Sequence, residues 1–525
     1  MGRRRRGRRG ADASAGQPAC RHHRPRRPAG TDRRSRPRHG DDQGQASDGR
    51  GPQRPAGDRV VSVPAVVIAA PASGSGKTTV ATGLMGALRA AGHRVAPFKV
   101  GPDYIDPGYH SLATGLPGRN LDAVMVGADR IGALFRHGSD GCDIAVVEGV
   151  MGLFDGKIDP SGAGDASAEG STASVASMLG APVVLVVDAR GHSQSLAAVL
   201  HGFSTFDSSV RIGGVILNRV GSPRHEEVLR HACDRVGIPV LGVLPRMSEL
   251  AVPSRHLGLI TAVEHGQSAG AAVDAMATLV AEHVDLDALR ALAASSVSTA
   301  AWNPADEVGT PVSQAPVVAI AGGPAFTFGY AEHVELLRAA GADVTVFDPL
   351  TDGLPAGTAG VVVPGGFPEE HAEQLASNEL LLADIRRTAA AGMPIHAECA
   401  GLLYLSRSLD GHAMAGVIDV DARFSASLTL GYRDAAALHD SVLFPAGARV
   451  TGHEFHRTML VDVADENPTA AWGWRNPSRA ARKNVVREGF VHGNVHASYL
   501  HTHPAGVPES VARFVAACAR FASRD

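Results

Sequence analysis

Residues 66–79 read Val66-Val-Ile-Ala-Ala-Pro71-Ala-Ser-Gly-Ser-Gly-Lys-Thr-Thr79, and this stretch decides the fold of the chain that follows it. A short β-branched run leads into a Gly/Ser turn, and a helical pattern then continues to Arg89. Strand, glycine loop and helix in this order form the context in which a P-loop binds phosphate. Pro71 stands where the usual spacing has its first glycine. The segment predicts a nucleotide site, and a Gly-rich turn without ligand is the structural alternative.

Each side chain of the loop has an expected role. Gly74 and Gly76 let backbone N–H groups turn toward phosphate oxygens. Lys77 is expected to reach the β- and γ-phosphates, and the Thr78 hydroxyl to hold Mg²⁺. The predicted ATP-binding residues of this segment are Gly74, Ser75, Gly76, Lys77, Thr78 and Thr79.

The composition is that of a globular protein, with 525 residues, 44% hydrophobic and 20% charged, which suggests two to four domains. Its five cysteines are widely spread without a Cys-x-x-Cys pair, which argues against a disulfide framework and a thiolate zinc site. No apolar run approaches the roughly 18 residues of a spanning helix. We therefore expect a cytoplasmic protein without a membrane partner.

Residues 1–58 contain 16 Arg and six Asp, a net charge of +10, so the remainder of the chain carries −13. This segment has too few aliphatic residues to fold, and residues 1–60 are predicted to be a disordered tail. An arm that binds nucleic acid is physically open, whereas a secretory signal is excluded because no apolar segment follows the arginines. The favoured interpretation is a start codon assigned too early, with the chain beginning near Val60 or Val61. A nucleic-acid partner is accordingly not expected.

From Val63 onward, buried strand patterns alternate with amphipathic helices, and residues 61–263 are predicted to form an α/β domain around a mostly parallel sheet. Ligands of such sheets bind beyond the carboxyl ends of the strands. Polar residues stand at these points, namely Lys99, Asp103, Asp106, Glu148, Asp188 and Asn218.

The sequence predicts different roles for these residues. Glu148 is the best Mg²⁺ candidate, because a carboxylate after a buried strand suits the metal and Glu rarely caps a helix. Asp103 and Asp106 lie between Pro102 and Pro107, so that loop structure and function are equally open for them. Lys99 closes a buried strand, where its ammonium would meet a phosphate or a substrate carboxylate.

Residues 264–315 read as a helical segment and a linker, and residues 316–522 as a second α/β domain. Cys399 stands where a short strand turns into a helix, the arrangement of a nucleophile elbow. The helix N-terminus is expected to lower the thiol pKa. Gly365 and Gly366 could supply N–H groups to an oxyanion hole. A buried structural cysteine is the alternative.

A cysteine nucleophile needs a base, and two histidines stand near the C-terminus. His501 and His503 are two residues apart, so on a strand they would share a face. They could also be a metal pair, but no third ligand with suitable spacing stands out. The base role is favoured, with His501 in direct contact with the thiol.

Several motifs carry a resemblance to a known family. Pro-Gly-Gly-Phe-Pro-Glu, Ala-Glu-Cys-Ala-Gly-Leu and Tyr-Leu-His resemble the class I glutamine amidotransferase domain of cobalamin-pathway amidases. Ala-Ser-Gly-Ser-Gly-Lys-Thr-Thr, Lys-Val-Gly-Pro-Asp-Tyr-Ile-Asp-Pro and Val-Glu-Gly-Val-Met-Gly-Leu-Phe-Asp-Gly resemble the dethiobiotin-synthetase-like ATPase domain of the same family. With Gly452-His-Glu-Phe-His456 as a further block, residues 63–522 are similar to the cobyrinic/hydrogenobyrinic acid a,c-diamide synthase branch.

The resemblance implies amidation of the a and c acetate side chains of hydrogenobyrinate or cobyrinate in cobalamin biosynthesis. ATP and glutamine would be co-substrates and Mg²⁺ the cofactor, and an acyl phosphate would be displaced by ammonia. It also implies that Cys399 forms a glutamyl thioester and that His501 activates it. Many class I amidotransferases carry a Glu two residues after that histidine. His503 stands there in this chain, so another group must orient the imidazole.

For the remaining site residues the resemblance implies three sets. The oxyanion hole would be lined by Gly365 and Gly366, and Asn218 is similar to the adenine-reading Asn of related ATPases. The metal residues would be Thr78, Asp103 and Glu148, and the substrate residues Lys99, Asp103 and Asp106.

Rival families fit less well. A partition or septum-site ATPase carries a lysine where Ala72 stands and has no use for Cys399, and dethiobiotin synthetase lacks a second domain. Cobyric acid synthase, which amidates other corrin side chains, departs from the Gly-Pro-Asp-Tyr-Ile-Asp-Pro block. Whether the corrin contains cobalt stays open, although the Ala/Arg/Gly-rich composition, typical of GC-rich organisms, favours cobalt-free hydrogenobyrinate. The oligomeric state is also open, with a homodimer as one option.

Overall fold

The computed structural model describes residues 62–158, 168–246, 254–255, 258–259, 261–461, 463, 467–475 and 485–524. The predicted tail, residues 1–60, lies outside the described residues. Among the described residues, no helix is both long and apolar enough to cross a membrane.

A seven-stranded sheet follows the P-loop pattern, in the order β3-β2-β4-β1-β5-β6-β7. All its strand pairs are parallel, and every residue of β1, β2 and β4 is buried, as expected when helices cover both faces. The strands are β1 (Ala65–Ala69), β2 (Val95–Val100), β3 (Arg119–Leu121), β4 (Ile144–Glu148), β5 (Val183–Asp188), β6 (Ile212–Val220) and β7 (Val240–Pro245). A two-stranded ribbon follows them, with β8 (Ser254–Arg255) and β9 (Gly258–Leu259).

The register of this sheet brings its polar residues to one edge. Lys99 pairs with Glu148 across β2 and β4, and Asp188 pairs with Asn218 across β5 and β6. The sequence placed Glu148, Asp188 and Asn218 just after their strands, whereas the ladder continues through them. All four residues still lie at the carboxyl edge, where a ligand of a parallel sheet is expected.

Eleven helices accompany this sheet among the described residues: α1 (Lys77–Ala90), α2 (Asp106–Thr114), α3 (Ala123–Val126), α4 (Ala128–Gly138), α5 (Thr172–Leu179), α6 (Leu196–Phe206), α7 (Pro223–Asp234), α8 (Ala262–His265), α9 (Gln267–His283), α10 (Leu286–Leu292) and α11 (Pro304–Glu307). Helix α9 packs so closely on α1 that a Cβ on Gly83 would collide with the Met276 carbonyl oxygen. Trp302 is buried and its backbone N–H donates to the Ala133 carbonyl at 2.9 Å. The segment predicted as a linker is therefore packed against the N-terminal domain.

The C-terminal domain is built on a six-stranded sheet in the order β11-β10-β12-β13-β21-β20. A third sheet has the order β15-β14-β16-β18-β19, with β17 paired to β16. The strands are β10 (Val317–Ala321), β11 (Asp343–Phe347), β12 (Thr358–Val363), β13 (Ile395–Glu398), β14 (Ser408–Leu409), β15 (His412–Ala413), β16 (Asp421–Ala437), β17 (Arg449–Val461), β18 (Trp472–Arg475), β19 (Val485–Glu488), β20 (Phe490–His492) and β21 (Val495–Ser498). The helices are α12 (Ala331–Ala339), α13 (Ala372–Ser377), α14 (Glu379–Ala390), α15 (Ala400–Leu405) and α16 (Pro508–Ala522).

The two C-terminal histidines do not share a strand face, so that expectation is wrong. Strand β21 ends at Ser498, and His501 forms an isolated bridge with His453. His503 precedes a 3₁₀ turn that begins at Pro504. Proline has no N–H to continue a ladder and fixes a turn conformation, which accounts for the end of regular pairing.

Candidate active sites

The P-loop lysine and threonine contact the opposite side of the N-terminal site. Lys77 Nζ donates to the Met151 carbonyl at 2.5 Å. Thr78 Oγ1 donates to Glu148 Oε1 at 2.6 Å and lies 3.3 Å from Asp106 Oδ2. Burial and the nearby ammonium of Lys99 lower the pKa of Lys77. The hydroxyl predicted for the metal thus lies directly beside the predicted metal carboxylate.

Asn218 contacts the P-loop at Gly76. Gly76 has φ 97°, and a Cβ there would collide with Asn218 Nδ2. The same Nδ2 donates to the Ser75 carbonyl at 2.9 Å. The next residue, Arg219, donates to the Gly74 carbonyl at 2.9 Å. The predicted adenine-reading residue therefore lies against the P-loop backbone, and glycine at position 76 is needed for that close approach.

Lys99 joins the carboxylates of this site. Its Nζ lies 2.5 Å from Asp106 Oδ2, 3.1 Å from Glu148 Oε1 and 3.6 Å from Asp103 Oδ2. Burial alone would lower the pKa of Lys99, but Asp106 and Glu148 outweigh it and raise the pKa well above its ordinary value. Lys99 is therefore held as a buried cation among the acids.

His110 was missed by sequence reasoning. Its Nε2 lies 2.6 Å from Glu148 Oε2, and both side chains are buried. Burial would raise the pKa of Glu148, yet Lys99 and His110 hold it below its ordinary value. His110 follows Asp106 by four residues on α2, so it shares a helix face with a predicted site residue. That spacing was the available signal.

Asp103 and Asp106 differ in the residues that they contact. Asp103 Oδ1 accepts from the N–H groups of Ile105 and Asp106 at 2.9 and 3.0 Å, which fixes the start of α2. Burial and the neighbouring Asp106 raise the pKa of Asp103. Asp106 contacts both Thr78 and Lys99, whereas Asp103 reaches only Lys99 of these two, at 3.6 Å.

The oxygen atoms at this edge suit a hard divalent cation. The Thr78 hydroxyl and the carboxylates of Glu148 and Asp106 converge, and Mg²⁺ prefers oxygen ligands from one or two carboxylates completed by phosphate and water. Within the described ranges, no cluster of three or more His, Cys, Asp and Glu side chains has metal-binding geometry. The residues fit Mg²⁺ as an ion shared with a nucleotide.

Cys399 stands at a sharp turn between β13 and α15. Its φ of 50° is uncommon for a residue other than glycine, and its N–H donates to the Ser498 carbonyl at 2.7 Å. The thiol lies 3.9 Å from the Phe455 carbonyl oxygen. Strained strand-to-helix turns of this kind present a nucleophile to its substrate.

The expectation of a lowered thiol pKa is wrong for this structure. Burial raises the pKa of Cys399, and the carboxylate of Glu369 adds to the effect. Backbone N–H groups of Ala400 and Gly366 act in the opposite direction without compensating. Helix α15 has only six residues, and desolvation of a thiolate exceeds what its N-terminus supplies. The thiol is therefore protonated at rest and depends on a base.

The structure brings His501 to the glycine pair and to the residue before the cysteine. A Cβ on Gly365 would lie 2.5 Å from His501 Cε1. His501 Nδ1 lies 3.7 Å from Glu398 Oε2, and the ring is fully buried. The Tyr104 ring, which belongs to the N-terminal domain, lies 4.7 Å from the His501 ring.

His503 is held elsewhere. Its ring centroid lies 4.1 Å from that of Tyr330, and its Nδ1 accepts from the Ala505 N–H at 3.2 Å. Burial lowers the pKa of His503 to about 4. The imidazole is therefore neutral near pH 7 and faces the ring of Tyr330.

Aromatic and polar contacts join the two domains around these sites. The Tyr330 hydroxyl donates to the Tyr104 hydroxyl at 2.9 Å, and the Phe328 ring stacks on Tyr104 at 5.1 Å. Arg119 pairs with Glu332 at 2.7 Å. Tyr104 lies between Asp103 and Asp106 in sequence, so the segment that carries the acids of one site also contacts the histidine of the other.

Comparisons with known proteins agree with this architecture. A family model described as the CobQ/CobB/MinD/ParA nucleotide binding domain matches residues 66–260. A model described as the CobB/CobQ-like glutamine amidotransferase domain matches residues 317–507. Hydrogenobyrinate a,c-diamide synthase of Mycobacterium tuberculosis is 61% identical over 86% of this chain and 98% of its own length.

The chain belongs to the a,c-diamide synthase family. Its relatives include the hydrogenobyrinate a,c-diamide synthase of Streptomyces coelicolor, 55% identical over 87% of this chain and 98% of that protein. The cobyrinate a,c-diamide synthase of a Synechococcus strain is 40% identical over 86% of this chain and 98% of that protein. The family confirms the predicted α/β fold, the order of a nucleotide-binding and an amidotransferase domain, and a glutamine-hydrolysing carbon–nitrogen ligase.

Sequence reasoning also missed two residues that contact the predicted site residue His501, namely Tyr104 and Glu398. Tyr104 lies inside the Gly-Pro-Asp-Tyr-Ile-Asp-Pro block, but no local pattern places it against a histidine almost 400 residues later. Glu398 immediately precedes Cys399, and that adjacency was the available signal for a carboxylate beside the predicted nucleophile.

Proposed function

We propose that this chain converts hydrogenobyrinate to its a,c-diamide with ATP and glutamine. Relatives named for hydrogenobyrinate reach 61% identity, whereas two relatives named for cobyrinate are each 40% identical over similar lengths. One relative named for hydrogenobyrinate is 41% identical, close to the two named for cobyrinate. The observation that carries the proposal is the contact of Tyr104 with His501, which joins a P-loop acid cluster to a cysteine elbow in one packed body.

The ATP half of the reaction takes place at the carboxyl edge of the N-terminal sheet. When ATP binds, Lys77 leaves the Met151 carbonyl and contacts the β- and γ-phosphates instead. Lys99 holds the substrate acetate near Asp106. Thr78, Glu148 and Asp106 would hold Mg²⁺, which would supply charge neutralisation on the phosphates. Asp103 was predicted as both a metal and a substrate residue. We retain only the substrate role for it, because it lies at the start of α2.

The chemistry there is a phosphoryl transfer followed by an acyl transfer. A carboxylate oxygen of the acetate attacks the γ-phosphorus, the bond to the bridging oxygen breaks, and ADP leaves. Ammonia then attacks the acyl carbon, phosphate leaves with the electron pair of the C–O bond, and the nitrogen loses a proton to give the amide. Asn218 supports the nucleotide site by holding the P-loop at Ser75.

The glutamine half takes place at Cys399. His501 takes the thiol proton, sulfur attacks the side-chain amide carbon, and the proton returns to the departing nitrogen so that ammonia leaves. Water, deprotonated by His501, cleaves the thioester to glutamate. The backbone N–H groups of Gly366 and Ala400 interact with the Cys399 sulfur, which supports an oxyanion hole at Gly366. The share of Gly365 in that hole stays a prediction.

The test is an assay of the purified chain with ATP, Mg²⁺, glutamine and either hydrogenobyrinate or cobyrinate. We expect two amide groups on hydrogenobyrinate, two ADP and two glutamate per product, and slower conversion of cobyrinate. Mass spectrometry counts the amides, and NMR of the product assigns them to the a and c positions. Amidation at propionate side chains would favour the cobyric acid synthase alternative, and no amidation of either corrin would overturn the proposal.

We further propose that the enzyme works in the cytoplasm, where ATP and glutamine are available. A homodimer stays a prediction, which light scattering of the purified chain would check.

A further inference from the structure

The Nδ1 atom of the His501 imidazole is buried and makes no hydrogen bond among the described residues. A histidine that takes a proton at Nε2 works best when an acceptor at Nδ1 fixes its tautomer and orientation and stabilises the imidazolium. Many class I amidotransferases supply that acceptor two residues after the histidine. His503 occupies this position, but it packs on Tyr330 and is neutral near pH 7, so it supplies no negative charge.

Glu398 approaches the same atom from the opposite side of the site. Its Oε2 lies 3.7 Å from His501 Nδ1. That separation is slightly longer than a hydrogen bond, and catalytic hydrogen bonds of free enzymes are often long and tighten when substrate binds. Strand β13 ends at Glu398, and pairing of Glu398 with Ser498 brings the segment before His501 alongside the cysteine turn.

The carboxylate of Glu398 is held in one orientation. Its Oε1 accepts from the Thr502 N–H at 3.3 Å and from Thr502 Oγ1 at 3.1 Å, and it lies 3.2 Å from His396 Nε2. Three contacts on Oε1 leave Oε2 directed at His501. Although burial raises the pKa of the Glu398 carboxyl, His396 and His501 outweigh burial and hold the pKa well below its usual value. The group is therefore a fixed anion.

We propose that Glu398 is the positioning residue for His501, in place of the carboxylate that this chain lacks at position 503. It orients the ring through Nδ1, so that Nε2 is free to exchange the proton with Cys399. Tyr104 and Gly365 restrict the ring on its other sides. This inference rests on the proposed glutaminase role of Cys399 and His501.

Other titratable groups surround this pair and enter any pH profile. The groups that interact electrostatically with Glu398 or His501 are His333, His396, His453, His496, His503, Tyr104, Tyr330 and Cys399. Burial lowers the pKa of His333 to about 4 and that of His453 to about 3. His333 and His453 are therefore neutral across the range in which a glutaminase is assayed, so neither replaces Glu398 as a source of charge.

The test is the pH dependence of glutamine hydrolysis by Glu398→Gln in the full chain, with hydrogenobyrinate and ATP present. We expect kcat/KM to fall about 10²-fold, within the usual range for an acid–base contribution. We also expect the acid limb of the profile to move to lower pH, because the imidazolium loses its counter-charge. Glu398→Asp keeps the charge at a longer distance, so its limb should stay near the wild-type position while turnover is intermediate.

Controls separate positioning from folding. Glu379→Gln, on an exposed residue at the start of α14, should leave both activities unchanged. Amidation with ammonium salts should persist in Glu398→Gln, since the N-terminal chemistry does not need the glutaminase. If that variant does not fold, Thr502→Val removes one donor that orients the carboxylate and should lower glutamine turnover several-fold, while the acid limb stays near the wild-type position because the carboxylate keeps its charge.

Two results would overturn the inference. One is glutamine turnover by Glu398→Gln within threefold of wild type, and the other is a large loss with an unmoved acid limb, which would indicate a structural role. Cys399→Ala distinguishes failure of the underlying function. If Cys399→Ala keeps glutaminase activity, the proposed function fails, whereas its loss alongside an active Glu398→Gln contradicts the positioning role alone.

Discussion

The Tyr104 ring of the N-terminal domain lies 4.7 Å from the His501 ring of the C-terminal domain. Tyr104 stands between Asp103 and Asp106, which contact Lys99 in the ATP site. The segment that carries these acids therefore also contacts His501, the proposed base of the glutaminase site. Because the two rings are in direct contact, a displacement of Tyr104 at the N-terminal site would directly displace His501 in the C-terminal domain.

We expect the contact between Tyr104 and His501 to couple the two sites, so that hydrogenobyrinate and ATP stimulate glutamine hydrolysis, and removal of the Tyr104 ring to weaken this coupling. Tyr104→Ala is expected to lower the stimulation of glutamine hydrolysis by hydrogenobyrinate and ATP by about 10-fold, within the usual range of coupling between two sites. Tyr104→Phe keeps the ring and loses only the contact with the Tyr330 hydroxyl, so stimulation should stay within threefold of wild type. Glutamate release with and without corrin measures the effect. Equal stimulation in Tyr104→Ala and wild type would exclude this route.

The P-loop lysine should be needed for amidation but not for the thioester. Lys77→Ala is expected to reduce corrin amidation at least 10²-fold, because a phosphate-contacting ammonium is lost. Thioester formation at Cys399, trapped by acid quench with labelled glutamine, should survive. Arg230→Ala, on the exposed face of α7, serves as the control. Normal amidation by Lys77→Ala would be incompatible with the nucleotide site.

The two C-terminal histidines should differ in their effect. His501→Ala is expected to lower glutamine turnover by about 10²–10⁴-fold, the usual contribution of a positioned base. His503→Ala should cost clearly less, because its ring packs on Tyr330. Both variants should keep amidation with ammonium salts. The assignment would be reversed if His503→Ala had the larger effect on steady-state glutamate release.

Gly365 offers a steric test of the same histidine. A Cβ at this position would lie 2.5 Å from His501 Cε1, so Gly365→Ala must displace the ring. We expect glutamine turnover to fall about 10²-fold while ammonium-dependent amidation is retained. Gly353→Ala is the matched control, since a Cβ there would have no neighbour within 4 Å. Unchanged turnover in Gly365→Ala would show that the imidazole is free to move.

Local sequence patterns were sufficient for the fold and for the backbone position of several predicted site residues. The P-loop, the strand ends with Lys99 and Glu148, and the cysteine elbow each depend on short-range order of strand, turn and helix. His110 was within reach as well, since it is one helical turn from Asp106. The strand face assigned to His501 and His503 failed because Pro504 starts a turn and pairing of His501 passes to His453.

Long-range contacts were beyond the sequence. Nothing local indicates that Tyr104 packs on His501, or that Thr502 orients Glu398. The thiol pKa of Cys399 also depends on burial, which only the assembled core determines, and burial outweighed the helix terminus. Residues that touch across domains are therefore the ones that a single sequence leaves unassigned.

The central claim is that glutamine hydrolysis at Cys399 supplies ammonia to a separate ATP-dependent amidation in the same chain. The most direct measurement compares wild type and Cys399→Ala with hydrogenobyrinate, ATP and Mg²⁺, using either glutamine or an ammonium salt, with product amides counted by mass spectrometry. We predict that Cys399→Ala makes no diamide from glutamine and keeps near wild-type amidation from ammonium. Diamide formation from glutamine by this variant, or failure with both nitrogen sources by a folded protein, would contradict the account.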